Sequence, residues 1–447
     1  MAALALAGCT MPGTGPGTGA QAPARAVSAD PVVLRFALPA PRPVPARRPN
    51  AEMARDFLDL SFRMESGREL PVLTRFEGPV RVRVKGPVPA SLLPDLEALI
   101  ARLRREAGLD IALAAAGGEA EIVVQAIPSA TLRRTIPGAA CTVMPGVRSW
   151  RGYLASRGSA RLDWSALERR SRAAVFVPAD SSPQELRDCL HEELAQALGP
   201  LNDLYRLSDS VFNDDNLHSV LTGFDMLMLR VSYAPELASG MSRAEVAGRL
   251  PGVLARLNPA GEGRPATPVE PTPRAWREAI ERALGPGASG PERLRAADRA
   301  VAVARARGWR DERAGFARLT RGRLAVPTRP DAARDDLEAA RAIFAGLPGA
   351  GVQRATAEAH LAALALSDGR TEAAERLIAA ALPDARAGGK AALVATLMGF
   401  QADLLERAGR GAEAVRLRVE SLPYALYGLG NAAEIGRAVV ARRAEAG

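Results

Sequence analysis

The residues best placed to do chemistry lie in one run, His191-Glu192-Glu193-Leu194-Ala195-Gln196-Ala197-Leu198-Gly199-Pro200-Leu201-Asn202-Asp203. Histidine followed by glutamate suggests metal-assisted hydrolysis, in which two histidines four residues apart on a helix hold zinc and the intervening glutamate activates water. Counted from His191 that pattern fails, because the residue four on is Ala195, which ligates nothing. Counted from Glu192 a different set emerges. Glu192 and Gln196 fall one turn apart on one helical face, Glu193 takes the position of the general base, and Gly199 permits a sharp turn that returns Asn202 to the same point. One carboxylate and two amides are hard oxygen donors. Zinc, which prefers imidazole and thiolate, is disfavoured; Ca²⁺, Mg²⁺ or Mn²⁺ is the fitting ion if any binds, and no metal is assigned. Asp203, Asp209 and His218, the last of these after the acidic run Asn213-Asp214-Asp215-Asn216, form a second tier of polar candidates. His191 is expected to pack away from the cleft.

A helix must carry these residues, and its signals are present. Ser182 as N-cap, Pro183 in the first turn and Glu185 closing a capping box predict a start, and Gly199-Pro200 predicts an end. Before it, Val80, Val82 and Val84 alternate with Arg81, Arg83 and Lys85 as a strand with one wet face, and Leu92, Leu96, Leu99, Ile100 and Leu103 follow helical spacing. Residues 121–127 and 173–177 are further β-rich runs, so residues 53–257 read as one domain of mixed sheet and helix. Residues 258–274, rich in Pro, Gly and Thr, read as a linker. Residues 275–447 are Ala-rich and helical: Leu337, Leu377 and Leu417 recur every 40 residues, and Gly369, Arg370, Ala374 and Arg376 match Gly409, Arg410, Ala414 and Arg416. Helix pairs that bury their apolar faces by stacking explain such a period.

Glu192, Glu193, Gln196, Gly199 and Asn202 occupy the five defined positions of the extended metzincin motif, His-Glu-x-x-His-x-x-Gly-x-x-His, with all three histidines replaced. Ser219-Val220-Leu221-Thr222 and the apolar segment from Phe224 to Tyr233 resemble the Met-turn and closing helix of that family, with Leu221 at the methionine position. The segment through Asp209-Ser210-Val211-Phe212-Asn213 to Gly240-Met241 is similar to the bacterial domain of unknown function 2927, and the C-terminal periodicity resembles tetratricopeptide-type repeats. These resemblances imply an α+β zincin-like domain followed by an all-α helical repeat domain. They imply a degenerate, noncatalytic protease cleft in which Glu193, Gln196 and Asn202 form a polar floor that binds a peptide or protein. The alternatives are a peptidase-like hydrolase that still uses Glu193, and an envelope scaffold acting through the repeats.

Leu4-Ala5-Leu6-Ala7-Gly8 before Cys9 resembles the lipobox of bacterial lipoproteins, Leu-Ala-Gly-Cys, which implies a signal peptide removed before a lipidated Cys9. Residues 10–52, poor in large apolar side chains, then serve as a flexible tether. The resulting place is the bacterial envelope, periplasm-facing or extracellular, with the membrane reached through the lipid. Cys141 and Cys189 remain as a pair in an oxidising compartment, where they are expected to form a disulfide. The net charge of +9 comes almost wholly from arginine, interspersed with acids and without a basic block, so nucleic acid is not an expected partner. The expected partner is an envelope protein or peptide.

Overall fold

The computed structural model describes residues 48–430. Cys9, most of the tether and residues 431–447 lie outside the described residues. Chain order in the first region is α1 (Asn50–Ser61), β1 (Val80–Lys85), α2 (Leu92–Ala107), β2 (Ile111–Leu113), β3 (Ile122–Ile127), α3 (Ser129–Thr135), β4 (Thr142–Pro145), α4 (Trp150–Ser156), β5 (Ala173–Pro178), α5 (Pro183–Leu198), α6 (Gly223–Ser232) and α7 (Arg243–Leu257). The five strands form one mixed sheet in the order β2-β1-β3-β5-β4, parallel except for β4, which runs antiparallel to β5 at an edge. Interior strand β5 is buried along its whole length, which its continuous apolar run requires of a strand covered on both faces. This is an α/β region with a mixed sheet, and its first helix starts at Asn50, three residues ahead of the expected boundary.

Helix α5 forms where its caps direct. Ser182 Oγ accepts from Glu185 N at 3.2 Å, and the Glu185 carboxylate accepts from Ser182 N at 3.0 Å. At the other end the Arg170 guanidinium donates to the carbonyls of Gln196, Ala197 and Gly199 at 2.5–2.7 Å, closing the helix terminus with a cation where the dipole favours one. Gly199 stands at φ −153° and ψ −104°, neither extended nor left-handed. A Cβ there would lie 3.1 Å from Ser232 Oγ and 3.3 Å from Leu229 Cδ2 of α6, so any larger residue would push those side chains back by a few tenths of an ångström. The expected disulfide joins Cys141, beside β4, to Cys189 on α5, tying the edge strand to the central helix.

Beyond Asn258 the described chain is all helix: α8 (Arg274–Leu284), α9 (Gly290–Ala306), α10 (Glu312–Ala325), α11 (Pro330–Ala345), α12 (Gly351–Ser367), α13 (Thr371–Ala387), α14 (Ala391–Arg407) and α15 (Gly411–Leu429), packed as consecutive pairs. The 40-residue spacing is two 20-residue helix-turn units. Gly369, Gly389 and Gly409 sit at φ +71°, +67° and +75° in the turns, a conformation that costs L-residues and not glycine. The array meets the first region at two places. From its first helix to α12 it holds the loop between α5 and α6, through Trp276, Phe316, Pro348 and Gln353. At its end, Arg187 of α5 donates to the Gly389 carbonyl at 2.7 Å, Lys390 Nζ donates to Ser219 Oγ at 2.6 Å, Ala392 N donates to Gln184 Oε1 at 3.0 Å, and Tyr427 donates to Asp95 of α2 at 2.8 Å. Among the described residues no helix is long and apolar enough to cross a membrane.

Candidate functional site

Glu192, Glu193 and Gln196 of α5 lie beside a group of carboxylates. Gln196 Nε2 donates to Asp203 Oδ2 at 3.3 Å and to Glu65 Oε1 at 3.5 Å. Oxygens of Glu65, Asp203 and Asp214 all lie within 4.8 Å of one another. Glu65 stands in a tight turn after α1, closed by Gly67 N donating to the Met64 carbonyl at 2.8 Å with Gly67 at φ +81°. Asp203 and Asp214 come from the loop of residues 199–222 that follows α5. One Asp203 oxygen, Oδ1, is buried without a hydrogen-bond partner. Three carboxylates at these separations match what one hard cation bound at about 2.3–2.6 Å from each would need.

The wall beside this group is edge strand β4. Gly146 N donates to the Arg172 carbonyl at 3.0 Å, which fixes the ladder phase so that Thr142 and Met144 bond toward β5 and Val143 points its N–H outward. That N–H meets the Glu193 carboxylate. Helix, edge strand and disulfide therefore frame the carboxylates on one side, and the loop of residues 199–222 frames them on the other.

The electrostatics are uncompensated. Burial, then the carboxylates of Glu65, Asp214 and Asp188, push Glu192 up to about 8. Burial, with Glu192 and Glu65 adding to it, holds Glu193 well above the usual carboxylate range, against the pull of the Val143 N–H. Asp203 is raised in the same way by burial and by Glu192, Glu65 and Asp214. Asp214 rises to about 7 through burial, Glu65 and Glu281, and Arg277 is the weakest influence on it. A group so arranged either keeps protons at neutral pH or takes up positive charge from outside.

Other residues singled out in the sequence lie elsewhere. Asn202 Nδ2 donates to the Asp59 carbonyl at 2.9 Å, so it fastens the end of α1, and Asp203 beside it fills the place Asn202 was expected to take. His191 faces away from the group, and its Nδ1 accepts from Leu221 N at 3.0 Å. Leu221 is also held by Arg102, which donates to its carbonyl at 2.9 Å. Ser219 Oγ donates to Asp188 Oδ2 at 2.9 Å, and Thr222 caps α6 through Asp225 N while donating to the Asp209 carbonyl at 2.5 Å. Asp209 pairs with Arg48 at 3.0 Å, and His218 Nε2 meets the Ser208 carbonyl at 2.9 Å, both against the helical region and outside the carboxylate group. The structure thus unites Glu192, Glu193, Gln196 and Asp203 with two residues the sequence did not nominate. Glu65 carries no motif that could have revealed it. Asp214 was visible only as part of an acidic run.

Residues 50–252 match the family described as protein of unknown function (DUF2927). No curated protein and no solved structure matches the chain.

Proposed function

We propose that the first region is a zincin-like, protease-derived cleft that binds a cationic peptide or protein segment without cutting it, on a lipoprotein held in the bacterial envelope through Cys9. The observation that carries this reading is the uncompensated carboxylate group of Glu65, Glu192, Asp203 and Asp214 beside edge strand β4. A lysine, arginine or terminal ammonium entering it would replace the missing counter-charge and displace protons. Protease ancestry is supported by the placement of Glu192, Glu193 and Gln196 on one buried helix, followed by a turn that returns an acidic side chain to Gln196. The noncatalytic reading is supported by the three ligand positions of the motif, where Glu192, Gln196 and Asn202 stand and none is a histidine. The Cys141–Cys189 bridge agrees with an oxidising compartment. The tetratricopeptide-like array would then present the cleft and extend its surface.

Binding of pentalysine and pentaglutamate peptides to the Cys9→Ser protein tests this. Pentalysine should bind, more tightly at pH 8.5 than at pH 6 because fewer protons must leave, and Asp214→Asn should weaken it about tenfold, or 1.4 kcal/mol. Equal binding of both peptides would overturn the reading. A second reading, a hard divalent cation at Glu65, Asp203 and Asp214, is favoured by their oxygen separations. Stoichiometric Ca²⁺ uptake measured by calorimetry would select it, and peptide cleavage abolished by Glu193→Gln would select a hydrolase.

A further inference from the structure

The loop between α5 and α6, residues 199–222, faces two ways. Asp203 and Asp214 turn toward the carboxylate group of the cleft, whereas Asp215, the next residue, turns toward the helical region. The helical region grips this loop at three points. First, the Tyr205 ring packs edge-on against Trp276 with centroids 5.0 Å apart and lies 6.2 Å from Phe316. Second, Ser208 Oγ donates to the Pro348 carbonyl at 2.8 Å, and Gly349, at φ +78°, comes so near that a Cβ on it would lie 2.4 Å from Asp209 Cβ. Third, fully buried Gln353 of α12 donates through Nε2 to the Ser208 carbonyl at 3.1 Å and to Asp215 Oδ2 at 3.4 Å.

The third point includes a second acid. Glu312, the first residue of α10, is 1% exposed, and neither of its carboxyl oxygens meets a donor group. What it meets is the Asp215 carboxylate. Two buried carboxyls in hydrogen-bond contact share one proton, because two anions there would repel with nothing to screen them. Burial, Asp215, Asp311 and Asp209 all raise Glu312, whereas His218, from the loop itself, lowers Asp215 against its burial. Asp215 is otherwise fixed by Leu217 N at 2.8 Å and by its own N–H to Asn213 Oδ1 at 3.1 Å.

We propose that Glu312 and Gln353 are positioning residues of the cleft: by hydrogen bonding to Asp215 they hold the loop so that Asp214 stands against Glu65 and Asp203. The helical region is on this view part of the binding site. The proposal rests on the reading of the cleft as a cation-binding site.

The test is a double-mutant cycle read by pentalysine affinity of the full chain. Glu312→Leu should weaken binding about tenfold, and Glu312→Gln, which still donates to Asp215, should stay within about twofold of the wild type. Glu312→Leu combined with Asp214→Asn should be no weaker than Asp214→Asn alone, because the positioned group is already gone. A general packing role predicts the opposite: equal losses in Leu and Gln variants and additive losses in the pair, and that result overturns the proposal. If Glu312→Leu fails to fold, Gln353→Leu takes its place in the same cycle. If the wild type does not bind pentalysine at all, the cleft reading fails by itself. Hydrogen exchange then decides the positioning: residues 203–217 should exchange about tenfold faster in Glu312→Leu than in Glu312→Gln, and equal rates would refute it.

Discussion

Two buried acidic centres lie on either side of the end of α1, and they are built on opposite principles. Asp56 is fully buried, yet Arg48, Arg55 and Arg206 surround it, and their charges hold its carboxyl below the usual range despite burial. Glu192, Asp203 and Asp214 are raised, first by burial and then by one another and the acids beside them. A chain with 59 lysines and arginines has no shortage of cations, and it places them around the acid that stabilises the fold. The cleft receives almost none. Several mutually raised carboxyls gathered at one place are what makes this group a candidate site.

The largest effect should come from breaking the compensated centre. Asp56→Ala leaves Arg48 and Arg206 facing each other without their anion, and urea unfolding should show a loss of about 3–5 kcal/mol. Next comes the frame of the other centre. Replacing Cys141 and Cys189 with serine opens a loop of 48-residue separation and should cost about 2–4 kcal/mol. Hydrogen exchange should place that loosening at β4 and α5 and leave α1 protected; uniform loosening would blur the contrast between the two centres.

Acidity sharpens the comparison further. The folded state holds protons on Glu192 and Asp214 that the unfolded chain releases near 4.5 and 3.8, so stability should fall as pH rises from there to about 7–8. Melting curves between pH 5 and pH 8.5 should register a loss of roughly 2 kcal/mol or more, and a rise over that window would contradict the assignment. Asp56, with its lowered value, contributes nothing in this window, because its stabilisation is lost only on acidification below the ordinary range. The smallest change is Glu192→Gln, which removes one of the crowded acids. At pH 8.5 it should stabilise the fold by about 1 kcal/mol while weakening pentalysine binding, a trade between stability and function.

Regular elements were legible because their signals are local. The caps of α5, the alternation of β1 and the glycine-marked 40-residue period each follow from the chemistry of a few neighbouring residues. The pairing of Cys141 with Cys189 followed from having two cysteines left over. The site was legible only on its helix. Whether Asn202 or Asp203 meets Gln196 depends on a turn whose path Gly199 takes through close packing against α6, and one residue of difference changes an amide into a carboxylate. Likewise Asp214 and Asp215 are chemically alike in sequence, and only the irregular loop sends one to the cleft and the other to Glu312. Glu65 lies 131 residues from Gln196 in a turn that any small fold could contain. Contacts of that range carry no periodic signal.

The helical array touches residues 199–222 from its first helix to Gln353 of α12, and farther on Gly389, Lys390 and Ala392 meet α5 and the loop after it. The stretch from Gln353 to Gly389, which includes α13, therefore acts as a ruler closed at both ends. Open stacks of repeats tolerate the gain or loss of a unit, since each unit leans only on its neighbours. Here Gln353 and Gly389 are both fastened to the first region, so the length of chain between them is set by the domain they grip.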